Sequence, residues 1–192
     1  VYAEEWSNQS QRNKHISTIY QNISSAYRDN NNYEAGLDYL FKSLKLNQEA
    51  NDSLSIAHAY ANIGIYYSRL DLLESSKEYH QNAITILERL ERTSLLAGEY
   101  SNLAQINIEL KQFDNVEEHL FKAADLNISS NNTYWLAINY QTLGEYYNTI
   151  GDWEKESIYR QKTLEISLEN DYKELLMYHY QSKGSKFLEK KD

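Results

Sequence analysis

Five histidines, 28 acidic side chains and no cysteine bound the chemistry open to this chain. The histidines are His15, His58, His80, His119 and His179. No two stand at a helical ligand spacing, and no His-Glu-x-x-His or Cys-His pattern occurs, so no zinc site is expected. The absence of cysteine excludes disulfides and thiolate chemistry. The six glycines are scattered singly and form no phosphate-binding loop. Acidic clusters such as Glu4-Glu5 and Glu117-Glu118 read as solvated helix faces, because paired carboxylates in acid–base catalysis need a pocket. The expectation is a chain with no enzymatic activity, no metal and no cofactor. What remains is hydrogen-bonding chemistry. Asn22, Asn62 and Asn102 recur at a spacing of forty residues. A primary amide offers a donor and an acceptor together, so a column of asparagines can grip an extended peptide backbone without reading its sequence.

The elements that would position such a column are written in the same forty-residue period. Tyr20, Tyr60, Tyr100, Tyr140 and Tyr180 are in phase. Three residues on stand Ile23, Ile63, Leu103 and Leu143, followed by the small residues Ser24, Gly64, Ala104, Gly144 and Gly184. The second half of each period opens with Tyr33, Leu73, Phe113 or Trp153, each followed by an acid, and carries Ser43, Ala83, Ala123 or Thr163 ten residues later. Ile56, Tyr60, Ile63 and Tyr67 step by three or four, as do Tyr79, Ala83, Ile86 and Leu90, so each half period is an amphipathic helix. The tyrosine columns read as core packing against a neighbouring helix. Small residues such as Gly64 and Ala83 let two helix axes approach closely. Asn32 and Asp152 are expected N-caps of second helices, Asp52 and Asp171 of first helices.

This pattern predicts first helices near residues 14–30, 53–70, 94–110, 133–150 and 173–190, and second helices near 33–49, 73–91, 113–129 and 153–169. With no proline in 192 residues, nothing interrupts them. The expected organisation is one domain over 1–192, with four repeats at 13–50, 51–92, 93–130 and 131–170. Residues 1–12 are expected as the tail of a preceding repeat and 171–192 as a final or capping helix, the cap being favoured by Lys183 where other units carry Ile or Leu. The formal net charge of -9 weighs against nucleic acid or an anionic membrane as partner and favours a neutral or basic peptide. No apolar run approaches a membrane span. The compartment is not fixed by the sequence. It would be cytoplasmic, or periplasmic if an upstream signal is removed.

These columns resemble the tetratricopeptide repeat. Tyr60, Ile63-Gly64, Tyr67 and Ala83 match its pattern, as do Tyr140, Leu143-Gly144 and Tyr147, and the resemblance covers residues 15–187. The period is forty rather than thirty-four, the closing proline is absent, and the small residue early in the second helix is replaced by Val116 and Glu156 in two units. The resemblance implies an all-α fold, a right-handed superhelical solenoid of antiparallel helix pairs whose first helices line a concave groove. On the helix wheel that groove carries Asn22, Asn62, Asn102, Gln21, His58, Ser101, Gln105, Gln141, Glu145, Arg28 and Arg69, with Gln181 further on. The carboxylate clamp of the chaperone-binding members is not expected, because its positions hold Gln21, Ser25, Asn62, Gly98 and Asn102 and no basic residue. The implied function is a non-enzymatic protein- or peptide-binding scaffold. It resembles the sensing module of a larger bacterial regulator, either a transcription regulator or a histidine kinase. The alternative is a free-standing assembly adaptor, with self-association as a homodimer through the terminal helices.

Overall fold

The computed structural model describes the backbone of residues 2–189 and the side chains of residues 8–181. The side chain of Lys183 lies outside the described residues. Nine helices follow one another among the described residues: α1 (Tyr2–Asp29), α2 (Tyr33–Glu49), α3 (Ser53–Arg69), α4 (Leu73–Arg89), α5 (Thr93–Glu109), α6 (Val116–Ser129), α7 (Thr133–Ile150), α8 (Trp153–Glu169) and α9 (Lys173–Glu189). The described residues are all-α, as the periodicity predicts, and within each unit successive helices pack as antiparallel pairs, as the resemblance implies. No helix among the described residues is long and apolar enough to cross a membrane.

A left-handed residue closes each of α1 to α8 and recurs every twenty positions: Asn31, Asn51, Asp71, Glu91, Lys111, Asn131, Gly151 and Asp171, with φ between 52° and 80°. This conformation lets the chain leave a helix and start the next within three residues. Asn and Asp tolerate it through their short polar side chains, but Glu91 and Lys111 have no such relief. Glu91→Gly and Lys111→Gly are therefore expected to raise stability by about 0.5–1 kcal/mol each, the relief of strain exceeding the entropy that glycine adds to the unfolded chain. The urea midpoint reads this directly.

Three local expectations are corrected. At the same phase Gln11 lies inside α1, which runs unbroken from Tyr2, so no turn separates residues 1–12 from the first helix. Ser10-Gln11-Arg12 supplies no Asn, Asp or Gly to favour a break. The helix expected from 113 begins at Val116, because Asn115 is also left-handed, at φ 63°. Asp171 does not cap α9. It occupies the left-handed turn and pairs with Lys173 at 3.7 Å. The other expected caps form: the side chains of Asn32, Asp52 and Asp152 accept from the backbone N–H of Ala35, Ser55 and Lys155. Asp52 also pairs with Lys14 at 2.8 Å, and the bond to Lys14 holds its carboxyl below the usual aspartate range. Its contribution to stability is full at neutral pH and is lost as pH falls through that lowered value.

The chain divides into two compact units, one ending at Leu110 and one beginning at Lys111. In the first, Leu37, Leu40, Leu44, Ala59, Ile63 and Tyr66 form a buried cluster, with Tyr33, Ile56, Tyr60, Tyr67, Leu70 and Tyr79 packed against it. Each such side chain contributes about 1.5–3 kcal/mol by leaving water. The in-phase tyrosines build a recurrent three-ring stack. Tyr27 lies on Tyr39 and Tyr67 on Tyr79, with ring planes 19° and 24° apart, while Tyr20 and Tyr60 tilt against the same partners. Tyr66 donates to the backbone carbonyl of Ser24 at 2.7 Å, and the Ser24 hydroxyl lies 2.8 Å from the Tyr66 hydroxyl.

In the second unit, Leu120, Ala123, Ala137, Leu143 and Tyr147 are buried. Tyr140, Tyr147 and Tyr159 repeat the stack. Tyr147 donates to Glu117 at 2.6 Å, and burial followed by that bond raises its phenol well above the ordinary range. The corresponding positions of the third pair hold Tyr100, Asn107 and His119. Tyr180, the last of the in-phase tyrosines, is 57% exposed.

Candidate binding face and cavity

On α3, Tyr60 and Tyr67 contact Tyr79 of α4, and Ile63 belongs to the cluster with α2. Residues 58, 62 and 69 fall on the opposite arc of the helix at 100° per residue. Asn62 is half-buried there, and His58 and Arg69 are exposed. Asn22 on α1 and Asn102 on α5 hold the same register, exposed and half-buried respectively. Their amides make no hydrogen bond with any described residue. Asparagines with structural roles look different. Asn47 is buried, accepts from Ser17 and donates to the carbonyl of Ser55, and Asn127 donates to Asn139 at 2.6 Å. The column singled out by its spacing is thus the one whose hydrogen-bonding capacity the fold leaves unused.

The other expected groove residues divide. Gln21 turns toward α2 and donates to the Ser43 hydroxyl at 3.2 Å. Ser101 donates to the Ala97 carbonyl of its own helix, Gln105 to Glu109, and exposed Arg28 to the neighbouring Asp29. The structure does bring Gln141 and Glu145 together, on the wall of a cavity.

That cavity lies between α7, α8 and α9 and has a volume of about 200 Å³. Its lining includes Gln141, Gly144, Glu145, Asn148, Glu156, Arg160, Thr163, Leu175, Tyr178 and His179. Its origin is clearest against the same columns eighty residues earlier. There Gly64 is filled by the His80 ring, which would stand 2.7–3.0 Å from an added Cβ, and Ser76 donates to the Gly64 carbonyl. His80, 1% exposed, bonds through Nδ1 to Glu99 at 2.6 Å. In the later columns Gly144 meets only α8 backbone, at 3.8 Å, and Glu156, Arg160 and His179 stand where Ser76, His80 and Glu99 stood. Glu156 ties Arg160 back along α8 at 3.0 Å. Long side chains folded onto their own helix leave space beside Gly144.

Glu145 Oε1 accepts from Gln141 Nε2 at 3.0 Å and from the Tyr178 hydroxyl at 2.7 Å. Gln141 Oε1 is buried and accepts from no described residue. Partial burial and the Glu145 carboxylate push the Tyr178 phenol up to about 12. A phenol raised in the fold stabilises it fully below its ordinary value near 10, and that contribution is lost as pH rises through about 12. Urea unfolding is therefore expected to show stability falling across that window, with a shallower fall in Tyr178→Phe.

Glu156, Arg160, Tyr178 and His179 escaped the sequence reading. The signal that could have found them was Glu156 itself, a charged residue in a small-residue column. Among the described residues no group of His, Asp and Glu is placed to hold a metal ion.

Comparison with known proteins gives a tetratricopeptide-repeat family match over residues 17–49. No curated protein matches the chain in sequence. Among solved structures the chain is similar to aspartyl phosphate phosphatase F from Bacillus subtilis, with TM-score 0.75, 14% identity and coverage of 90% of this chain and 50% of that one. It is similar to BtubC (BKLC) from P. vanneervenii, with TM-score 0.73, 17% identity and coverage of 81% and 64%. A putative kinesin light chain of nearly identical repeats from Podosopora anserina gives TM-score 0.71 and 13% identity, covering 90% of both chains. The chain therefore spans 50% of the length of the first of these structures and 64% of the second. At these identities the likeness is one of fold.

Proposed function

From a chain whose residues 17–49 match the tetratricopeptide repeat and whose fold is similar to that of tetratricopeptide-repeat structures, we propose a non-enzymatic scaffold that binds a protein or peptide across its first helices. We further propose that it serves as the sensing or interaction module of a larger bacterial regulator. The observation that carries the reading is the asparagine column. Asn22, Asn62 and Asn102 share one register on α1, α3 and α5 and leave both halves of their amides unbonded among the described residues, as a backbone-gripping surface requires. The net charge of -9 supports a neutral or basic peptide over nucleic acid. The similarity to bacterial structures supports the regulatory setting.

The test starts from linear peptides selected on this chain by phage display. In Asn62→Ala/Asn102→Ala their affinity is expected to fall at least about tenfold, as loss of two backbone contacts implies. Unchanged affinity would remove the face from consideration while leaving the fold intact. The second reading, an assembly adaptor that self-associates through its terminal helices, is favoured by the exposure of Met177 and Tyr180 on α9, at 59% and 57%. Sedimentation equilibrium separates the two, since the adaptor reading requires concentration-dependent dimers and the sensing reading does not.

A further inference from the structure

We propose that the cavity between α7, α8 and α9 receives the cationic end of one lysine or arginine side chain of a bound peptide. The proposal rests on the peptide-binding reading above and names a specificity pocket for it. Size sets the first limit. At about 200 Å³ the cavity lies below the range of roughly 300–1,000 Å³ usual for cofactor or drug-sized ligands, and suits a single side chain.

Hydrogen-bond arithmetic sets the second. Gln141 Nε2 donates to Glu145, which fixes the orientation of the amide. The amide oxygen is buried without a partner among the described residues. An unmet buried acceptor is a standing demand for a donor, and a carboxylate ligand brings none. The Tyr178 hydroxyl is committed to Glu145 and the Arg160 Nε to Glu156.

Charge sets the third. Two carboxylates, Glu145 and Glu156, face one guanidinium, and Arg160 is already bound to Glu156. An anionic side chain would meet the surplus carboxylate; an ammonium or guanidinium would meet both it and the Gln141 oxygen. The Tyr178 ring, 43% exposed at the cavity, offers an aromatic surface suited to the same cation.

The experiment uses the ¹⁵N-labelled chain and four peptides, acetyl-Ala-Ala-Xaa-Ala-Ala-amide, with Xaa lysine, arginine, norleucine or glutamate. The Gln141 side-chain amide resonance is followed during titration. The lysine or arginine peptide is expected to shift it saturably, with norleucine and glutamate at least about tenfold weaker. Glu145→Gln, which keeps an oxygen for Tyr178, is expected to retain a folded spectrum and lose the response. Equal midpoints for lysine and norleucine, a preference for glutamate, no response to either cationic peptide, or an unchanged response in Glu145→Gln would each overturn the proposal. If the cavity fails these tests while selected peptides still depend on Asn62 and Asn102, the peptide-binding reading stands and only the pocket is lost. Lysine binding that persists with Asn62 and Asn102 irrelevant does the reverse.

Discussion

His80→Ala is expected to lower the stability of the chain by about 3–5 kcal/mol, the usual consequence of removing one partner from a buried polar pair. The imidazole is 1% exposed, fills the space beside Gly64 and holds Glu99, itself 8% exposed, at 2.6 Å. Its loss leaves a carboxylate without a partner in a site closed to water and opens a cavity as well. The repeat supplies its own control. Forty residues earlier the same two columns hold Leu40 and Ala59, both buried, with no polar pair. The double variant His80→Leu/Glu99→Ala imports that solution and is expected to lie within about 1 kcal/mol of the parent, since an apolar pair of suitable volume replaces a buried polar one at little cost. Urea unfolding of the single and double variants gives the coupling. A near-additive result would mean that the two side chains do not act as a pair.

The second large effect is Gly36→Ala. In an exposed helix this exchange gains roughly 1 kcal/mol of helix propensity. Here the added Cβ would overlap the Tyr66 ring, and Tyr66 is 2% exposed and anchored to Ser24 through its hydroxyl. The ring cannot retreat without breaking those bonds. A net loss of about 2–3 kcal/mol is expected, in the range of overpacked cores. Tyr66→Leu in the same background is expected to recover part of it, because a shorter side chain clears the new methyl. Full additivity of the two changes would argue that the clash is relieved elsewhere.

These two sites mark what the sequence made legible and what it did not. The helices were readable because apolar residues repeat at helical spacing and the whole pattern repeats at forty. The tyrosine stacks were readable as core for the same reason, since Tyr60, Tyr67 and Tyr79 lie on stripes that must face a neighbouring helix. The pairing of His80 with Glu99 was not. It joins residues nineteen apart on successive helices, and only the packing angle of those helices decides whether they meet. Nor was the need for glycine at position 36. Its necessity comes from Tyr66, thirty positions on, where the next unit has Ile106 opposite the larger Ser76 in the same columns. The continuous α1 was missed because the phase of the repeat suggested a turn that Ser10-Gln11-Arg12 does not encode.

The candidate site was legible in part for a related reason. A column of asparagines is visible by spacing alone, and its members prove unbonded. Gln21 and Ser101 share the predicted arc, yet their side chains find partners on the protein, and the helix wheel carries no information about that. The cavity arises from an absence, the unfilled space beside Gly144, which depends on Glu156 and Arg160 bonding to each other along α8.

The most direct test of the binding face compares asparagine side chains within one sample. With a display-selected peptide at saturation, the ¹⁵N side-chain amide resonances of Asn62 and Asn102 are predicted to move. That of Asn47, bonded to Ser17 and the Ser55 carbonyl, is predicted to stay in place. A peptide that binds while the Asn62 and Asn102 amides remain unshifted would contradict the account.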